Sequence, residues 1–267
     1  MENNQTVLLT GITSGIGKQL AIQFASNGYN LIGVARNEEK LKEIAAEFEK
    51  KYSIDVKYIV KDLAQDGAAQ EIYEEVKTWK YPVNILVNDA GVGQRGNFTD
   101  IPPEKYSELI HLNVMSLTHL TRLFLRDMVD RNEGRVLNLG SIAGFQPGPL
   151  MAVYHATKAF VVSLSEALAT ELEDMESAVT VTCLCPGPTD TDFFSRADME
   201  NTNVVHHKDK LMAPPEEVAE GAYKALMDGE RIYIPGAANK VTTFVRRVMP
   251  KSTQSKIQKK FYEKYEE

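Results

Sequence analysis

A tyrosine and a lysine separated by three residues are the side chains of this sequence best suited to chemistry. Tyr154 and Lys158 begin a segment, continued by residues 159 to 172, whose apolar residues follow helical spacing. Both side chains therefore project from one helical face. A phenol with a pKa of about 10 is almost fully protonated at neutral pH, and a neighbouring cation favours its ionised form. Lys158 supplies that cation, so the pair predicts acid–base chemistry on a substrate oxygen.

Ser141 is a candidate third member of this site. It follows a strand-like run, residues 135 to 139, and its hydroxyl can hydrogen-bond a substrate oxygen held beside the phenol. A tyrosine and a lysine four apart are, by themselves, more often structural, with the tyrosine partly buried and the lysine exposed. A second motif has to decide between the two interpretations.

That second motif is a glycine-rich turn near the start of the chain. Residues 10 to 17 read Thr-Gly-Ile-Thr-Ser-Gly-Ile-Gly. They lie between a β-branched and apolar run, residues 6 to 10, and a helical pattern over residues 16 to 27. Glycines let the backbone approach a pyrophosphate, and the helix N-terminus offers N–H groups to it. This order of strand, turn and helix predicts a dinucleotide-binding turn.

Together the two motifs resemble the classical short-chain dehydrogenase/reductase (SDR) family, in order and in spacing, over roughly residues 6 to 235. The resemblance implies a single Rossmann-type doubly wound α/β domain with a parallel sheet of about seven strands, in the order 3-2-1-4-5-6-7. It also implies reversible hydride transfer between a nicotinamide and a carbonyl or alcohol substrate. In the reducing direction Tyr154 protonates the forming alkoxide and Ser141 holds that oxygen. Lys158 lowers the phenol pKa and binds the nicotinamide ribose.

The resemblance extends to further site residues. Asn113 matches the asparagine that completes a proton relay with the lysine, although a buried core asparagine is the competing interpretation. The implied cofactor-binding residues are Gly11, Thr13, Ser14, Gly15, Ile16, Gly17, Arg36, Asp62, Leu63, Asn88, Ala90, Gly91, Tyr154, Lys158, Pro186, Gly187 and Thr189. For Asp62 the alternative is a helix cap or turn, and for residues 186 to 189 it is a plain turn. Asp89 departs from the family's usual Asn-Asn-Ala-Gly, because an ionised aspartate accepts hydrogen bonds but donates none.

The end of the second strand bears on the choice of cofactor. Residues 30 to 35 lead into Ala35-Arg36-Asn37, where a NAD-preferring fold usually carries an acidic residue. Arg36 is suited instead to a 2'-phosphate, so the prediction is NADP, with NAD as the less favoured alternative.

The remaining pattern predicts the other elements. Strands are expected at residues 56–60, 83–87, 178–184 and 231–234, and helices at 38–50, 67–79, 103–131, 154–175 and 215–228. Residues 190 to 212 are polar and irregular, which makes them a candidate lid. Their pair His206 and His207 has no third ligand nearby at metal spacing, so no metal site is predicted.

Composition limits the class of protein. With 267 residues, 43% of them apolar and 25% charged, the chain is typical of soluble globular proteins. It has neither an apolar run of about 18 residues nor a signal-peptide pattern, so we expect a cytoplasmic protein.

Cys183 and Cys185 are expected to be reduced core residues. Residues 240 to 267 contain eight Lys/Arg and three Glu, a net charge of +5. Because the whole chain has a net charge of −7, the remaining residues have a net charge of −12. This acidic body argues against nucleic-acid binding.

The chain is therefore divided into a catalytic domain, residues 1 to 239, and a basic amphipathic tail, residues 240 to 267. In the tail Val241, Phe244, Val245 and Val248 recur at helical spacing among basic residues. We expect the tail to pack on its own body or on a partner subunit; peripheral contact with an anionic membrane is the alternative.

Two other functions remain open from the sequence. One is an NADPH-binding regulatory or sensor protein with little catalysis, and the other is epimerase or dehydratase chemistry on a nucleotide sugar, as in relatives of the family. The pocket loops favour a fairly apolar ketone, steroid-like or 3-oxoacyl substrate. By analogy with the family we expect a homodimer or homotetramer.

Overall fold

The computed structural model describes residues 5–79, 82–246 and 248–265. Its core is a sheet of seven parallel strands in the order β3-β2-β1-β4-β5-β6-β7. The strands are β1 (Thr6–Thr10), β2 (Asn30–Ala35), β3 (Val56–Val60), β4 (Ile85–Asn88), β5 (Arg135–Leu139), β6 (Thr180–Leu184) and β7 (Ile232–Tyr233). The predicted fold class and strand order are confirmed.

The helices that flank and cap this sheet are α1 (Gly15–Ser26), α2 (Glu38–Tyr52), α3 (Ala68–Thr78), α4 (Pro103–Ile110), α5 (Leu117–Asp130), α6 (Ala152–Asp174), α7 (Phe193–Arg196), α8 (Asn203–His206), α9 (Lys208–Leu211), α10 (Pro215–Met227), α11 (Ala237–Arg246) and α12 (Lys251–Tyr262). Helices α1, α2 and α10 cover one face of the sheet, and α3, α5 and α6 the other. Every residue of β1 and β4 is buried because both faces are covered.

The strand register brings the candidate site together. Thr10, the last residue of β1, pairs with Asn88 at the end of β4, and Asn88 pairs with Asn138 of β5. The segments that follow these strands therefore leave the sheet side by side at its carboxyl edge. In an open α/β sheet this edge is where ligands bind.

The long helix predicted for residues 103 to 131 is wrong in its middle. It is divided into α4, a π-helical turn over His111–Ser116, and α5. A π-turn adds a residue to the helix and shifts the side chains that follow around its axis, which hydrophobic periodicity does not reveal. The irregular segment 190–212 likewise contains the three short helices α7, α8 and α9.

The C-terminal segment forms two helices. α12 buries Gln254, Gln258 and Tyr262, whereas α11 buries Thr243 alone. Its opposite side exposes Val241, Phe244 and Val245, and Val248 just beyond the helix is also exposed; these four residues are called the apolar stripe. Three charges counted in the tail prediction, Arg247, Glu266 and Glu267, lie outside the described residues.

Within the described ranges, no helix combines the length and the apolar character needed to cross a bilayer.

Candidate active site

Glycines shape the turn between β1 and α1. Gly11 and Gly15 have φ of +77° and +56°, a region that residues with a Cβ rarely adopt. A Cβ on Gly17 would lie 2.5 Å from the backbone oxygen of Gly11, so this position has room for hydrogen only. The side chain of Ser14, which precedes α1, makes no capping hydrogen bond. Ser14 therefore leaves the first N–H groups of α1 open to an anionic ligand such as a pyrophosphate, apart from the Gly17 N–H, which faces Asp89.

The turn opens into a cavity of about 840 Å³ that extends along the carboxyl edge of the sheet. At one end, Arg36 follows β2 and Asn37 caps α2 by accepting a 2.9 Å hydrogen bond from the N–H of Lys40. All three residues border the cavity. Two cations at this end fit the 2'-phosphate of NADP.

Asp62 and Leu63 form the wall next to this end. The Asp62 Oδ1 accepts a 3.0 Å hydrogen bond from the N–H of Ala64, so its side chain also shapes the turn after β3. The backbone oxygen of Leu63 accepts a hydrogen bond from the Ser116 hydroxyl. Both residues border the cavity, where their predicted place beside a nucleotide base is available.

Tyr154 lies on the first turn of α6 and borders the cavity, with only 9% of its surface exposed. Burial raises the pKa of its phenol above the ordinary value of 10. The phenol of Tyr262 raises this pKa further, and the nearby Ser141 hydroxyl lowers it. The Ser141 Oγ also accepts a 3.1 Å hydrogen bond from the N–H of Ala143, which orients the hydroxyl. A substrate oxygen at this wall would meet two hydroxyl groups.

Lys158 lies one helical turn after Tyr154. Its Nζ donates a 2.7 Å hydrogen bond to the backbone oxygen of Leu139 and lies 5.8 Å from the centre of the Tyr154 ring. We expected Lys158 to lower the phenol pKa, but in this structure burial dominates that pKa and Ser141 is the partner that lowers it. Burial lowers the pKa of Lys158 itself to about 8, and the nearby Asp89 opposes this change.

The π-helical turn holds Asn113 at 2% exposure. Its Oδ1 accepts a 3.0 Å hydrogen bond from the N–H of Val92, and its Nδ2 donates to the Val92 oxygen at 2.9 Å and to the Thr157 hydroxyl at 3.2 Å. A Cβ on Gly91 would lie 3.2 Å from the Asn113 Oδ1 and 3.6 Å from the Lys158 Nζ. Asn113 thus joins the end of β4 to α6 on the side where the lysine lies.

Asp89, which departs from the family pattern, lies directly beneath the glycine turn. A Cβ on Gly11 would lie 2.8 Å from its Oδ2. Burial raises the pKa of the carboxyl to about 7, against the opposing effects of Lys158 and of the Gly17 N–H. Its Oδ1 is buried and has no hydrogen-bond partner among the described residues. The side chain therefore links the cofactor turn to the lysine.

The segment after β6 closes another side of the cavity. Pro186 accepts a 3.0 Å hydrogen bond from the N–H of Ile142, which holds it beside the Ser141 turn. From α7, the Arg196 Nη2 donates a 2.8 Å hydrogen bond to the Ser14 hydroxyl, and the Phe193 ring lies 5.2 Å from that of Tyr154. The predicted lid segment thus spans from the glycine turn to the tyrosine.

The histidine pair of residues 190–212 packs against another aromatic ring. The His206 ring stacks on Tyr265 with ring centres 3.4 Å apart. In the described part of the chain, no group of three or more His, Cys, Asp or Glu residues is arranged to hold a metal ion.

The C-terminal segment supplies a wall that no motif indicated. Gln146 donates a 2.9 Å hydrogen bond to the Gln258 Oε1, and the His155 Nε2 lies 2.9 Å from the Tyr262 hydroxyl. Gln146, Gln258 and Tyr262 border the cavity. Helical spacing in the tail was the only sequence signal for this packing, and it did not reveal the burial of polar side chains.

Most of the predicted site residues border the one cavity: Gly11, Thr13, Ser14, Gly15, Ile16, Arg36, Asp62, Leu63, Ala90, Gly91, Ser141, Tyr154, Pro186, Gly187 and Thr189. Gly17, Asn113 and Lys158 lie behind its wall. Asn88 is turned away from it, since its Nδ2 donates 2.9 Å hydrogen bonds to Thr121 and Asn138 inside the sheet and helix layer. These contacts are structural, and the contact of Asn88 with the cofactor stays a prediction.

Comparison with known proteins agrees with this geometry. The sequence profile of a family described as short chain dehydrogenase matches residues 5–202. A very-long-chain 3-oxoacyl-CoA reductase of Pyrenophora tritici-repentis is 39% identical over 172 residues, which are 62% of this chain and 50% of that protein. The chain thus spans about half the length of this relative.

Two solved structures match over almost the whole chain. A short-chain dehydrogenase from Sphingobium yanoikuyae in complex with NADPH is 29% identical, with a TM-score of 0.80, over 93% of this chain and 97% of its own. A 7β-hydroxysteroid dehydrogenase is 26% identical, with a TM-score of 0.84, over 96% of this chain and 97% of its own. The profile match covers more than half of the chain, and these neighbours share its fold. The protein therefore belongs to the short-chain dehydrogenase/reductase family.

Proposed function

We propose that the protein is an NADP-dependent reductase that interconverts a carbonyl compound and its alcohol. The observation that carries this proposal is that Tyr154 and Ser141 both lie in the wall of the cavity that also contains the glycine turn. A proton donor and a dinucleotide-binding turn that share one cavity serve hydride transfer to a carbonyl.

Each residue has a defined part in the proposed reaction. The glycine turn would hold the dinucleotide, which would supply the hydride in the reducing direction. Tyr154 donates its proton to the oxygen of the forming alcohol, and the Ser141 hydroxyl hydrogen-bonds the same oxygen. Because burial raises the phenol pKa, Tyr154 is protonated and ready to donate at neutral pH. Lys158, behind the wall, binds the nicotinamide ribose. Asn113 supports the relay that returns a proton to Tyr154.

The preference for NADP is supported by Arg36 and Lys40 at the far end of the cavity. A 2'-phosphate carries charge that these cations bind, and a 2'-hydroxyl does not. We expect NADPH to bind more tightly than NADH, as measured by the two dissociation constants under the same ionic strength. Tighter binding of NADH would contradict the assignment.

The substrate is proposed to be a largely apolar carbonyl compound. The wall near Tyr154 includes Met151, Phe193, Phe194 and Phe261. Apolar and aromatic walls favour an apolar substrate body. The related proteins named for 3-oxoacyl-CoA and for 7β-hydroxysteroids indicate which carbonyl classes to test first.

The deciding experiment follows NADPH oxidation with a panel of ketones, steroids and 3-oxoacyl thioesters, using the wild type and Tyr154→Phe. We expect turnover of at least one class by the wild type and a loss of at least about 100-fold in Tyr154→Phe, the scale of lost general-acid catalysis. Measuring the NADPH dissociation constant of the variant separates a lost proton donor from a lost cofactor contact. NADPH binding without turnover of any class would favour the sensor alternative.

The proposal also covers the location of the enzyme in the cell and its contact with a membrane. A cytoplasmic protein that touches an anionic membrane through its tail is consistent with the apolar stripe, where Phe244 is 67% and Val248 82% exposed beside Lys240 and Lys251. Sedimentation with phosphatidylglycerol vesicles tests this contact, and Phe244→Ser with Val248→Ser should abolish it. Met175→Ser, an exposed apolar residue at the end of α6, is the matched control.

A homodimer or homotetramer is also proposed. The exposed side chains Ile110, Met115 and Phe160 lie on neighbouring surfaces of α4, the π-turn and α6. Apolar surface of this kind is commonly covered in an oligomer. Light scattering that gives the mass of a single chain at micromolar concentration would contradict it.

A further inference from the structure

The C-terminal segment places a cation in the wall of the cavity. Arg246 is the last residue of α11, and its side chain is half-buried and borders the cavity with Tyr154 and Tyr262. Its backbone oxygen accepts a 2.7 Å hydrogen bond from the Gln254 Nε2 of α12. This contact holds the end of α11 against α12 and therefore fixes the backbone position from which the Arg246 side chain extends.

Two other basic residues of the cavity wall have acidic partners. Arg196 pairs with Asp192, and Lys61 pairs with Glu71. Across residues 5–79, 82–246 and 248–265, by contrast, the Arg246 guanidinium has neither an ion pair nor a hydrogen bond. Burial lowers its pKa, and the Tyr262 phenol is the one neighbour that opposes this change. A half-buried charge without a counter-ion is unfavourable, which makes an anionic ligand its natural partner.

The guanidinium is linked to the reacting group through two intermediate side chains, Tyr262 and His155. Tyr262 lies 2.9 Å from the His155 Nε2, and the His155 ring lies 6.1 Å from that of Tyr154. Burial raises the pKa of Tyr262 to about 12 and lowers that of His155 to about 4, and the charge of Arg246 contributes a smaller lowering effect on both. A group bound by Arg246 would thus share the pocket with the carbonyl at Tyr154.

We propose that Arg246 binds an anionic group, a carboxylate or a phosphate, carried by the carbonyl substrate. Its planar guanidinium matches the geometry of either group. This inference rests on the proposed reductase function and narrows its substrate class. Arg246 also stands at the C-terminus of α11, where a cation interacts favourably with the helix dipole. A purely structural arginine is therefore the alternative that the experiment has to separate.

The kinetic test compares 3-oxooctanoate with its methyl ester, which differ at the anionic group. Arg246→Gln should lower kcat/KM for the acid by about 10- to 100-fold, the effect of one charge-assisted hydrogen bond, mainly through KM. It should leave the ester unchanged, and Arg246→Lys should restore part of the loss. Lys256→Gln, which removes an exposed charge of α12 away from the cavity, is the matched control and should change neither substrate.

A binding test works without turnover. Calorimetry on the wild-type NADPH complex compares octanoate and octyl phosphate with neutral octanamide, and the two anions show which group the site prefers. Tighter binding of either anion than of octanamide, reduced in Arg246→Gln to the octanamide level, supports the proposal even if no carbonyl is reduced. Equal wild-type affinity for all three ligands overturns it, whatever the fold of the variant. Reduction of acid and ester to the same extent in wild type and Arg246→Gln also overturns it and leaves the reductase function intact.

Discussion

At the scale of single residues, the site depends on ionisable groups that the fold removes from water. Tyr154, Lys158 and Asp89 are all affected mainly by burial, which raises the pKa of the two acids and lowers that of the base. Asp89 and Lys158 oppose each other's shifts, because each charge stabilises the other. The lysine is mostly protonated at neutral pH partly because an aspartate, and not the family's asparagine, lies beside it.

Asp89 should make stability depend on pH. Its folded pKa of about 7 lies above its ordinary value of 3.8, so folding takes up a proton between these values and stability falls as pH rises through them. Above about pH 7 the loss is complete and amounts to at most about 4 kcal/mol.

Asp89→Asn removes this loss. Urea unfolding should therefore show the variant gaining stability over the wild type at pH 8 and losing that advantage at pH 4. A difference between the two proteins that is the same at both pH values would contradict the raised pKa.

At the scale of elements, the glycine turn and the π-turn both shape the surroundings of the segment that follows β4. The glycine turn brings the start of α1 against the end of β4, with Asp89 between them. The π-turn lets Asn113 reach back to Val92 from within an otherwise regular helix. Both devices act on the segment that follows β4, so they position one wall of the cavity together.

Gly17→Ala should disrupt the turn without unfolding the protein. Its Cβ would lie 2.5 Å from the Gly11 oxygen, so the turn has to move. Overpacking of this kind costs about 1–3 kcal/mol. We expect a weaker NADPH affinity in fluorescence titration together with a lower melting temperature.

The matched control for this change is Gly229→Ala. Gly229 has φ of +73°, so alanine is strained there, but the nearest atom to its Cβ would be 3.4 Å away, in Thr180. It should lower the melting temperature and leave the NADPH dissociation constant unchanged. Equal losses of affinity in the two variants would refute the steric role of Gly17.

At the scale of the whole molecule, the chain closes on itself. α12 contributes Tyr262 and Gln258 to the pocket, so the last part of the chain completes a site whose chemistry is set near its middle. The predicted boundary at residue 239 stays a prediction about folding units. The described contacts show that the tail and the body share the cavity wall.

Tyr262→Phe should test this closure. The change removes the partner of the buried His155 Nε2, and a buried polar atom left without a partner costs about 1–3 kcal/mol. Urea unfolding should show this loss. Tyr265→Phe, whose ring stacks on His206 near the surface, should change stability much less. An equal effect of both variants would show that the buried contact adds little.

The fold and the identity of the central site residues follow from local patterns in the sequence. Three of these patterns each reflect the geometry of one local element: apolar strand segments that alternate with helices, a turn with glycines at three fixed positions, and a tyrosine four residues before a lysine. These patterns also carry the resemblance to the family, and the strand order and the place of Ser141 and Tyr154 at the sheet edge are predicted from that resemblance.

The electrostatics and the distant walls of the site depend instead on tertiary packing. The pKa of the Tyr154 phenol is set mainly by its burial, which follows from how α6 packs on the rest of the chain. The Asp89 Oδ1 lacks a hydrogen-bond partner among the described residues because of the way the chain packs beneath Gly11. The π-turn at Asn113 and the arrival of Arg246 and Tyr262 at the pocket involve contacts between residues far apart in the chain. Such contacts have no local period, so they arise only when the whole chain packs.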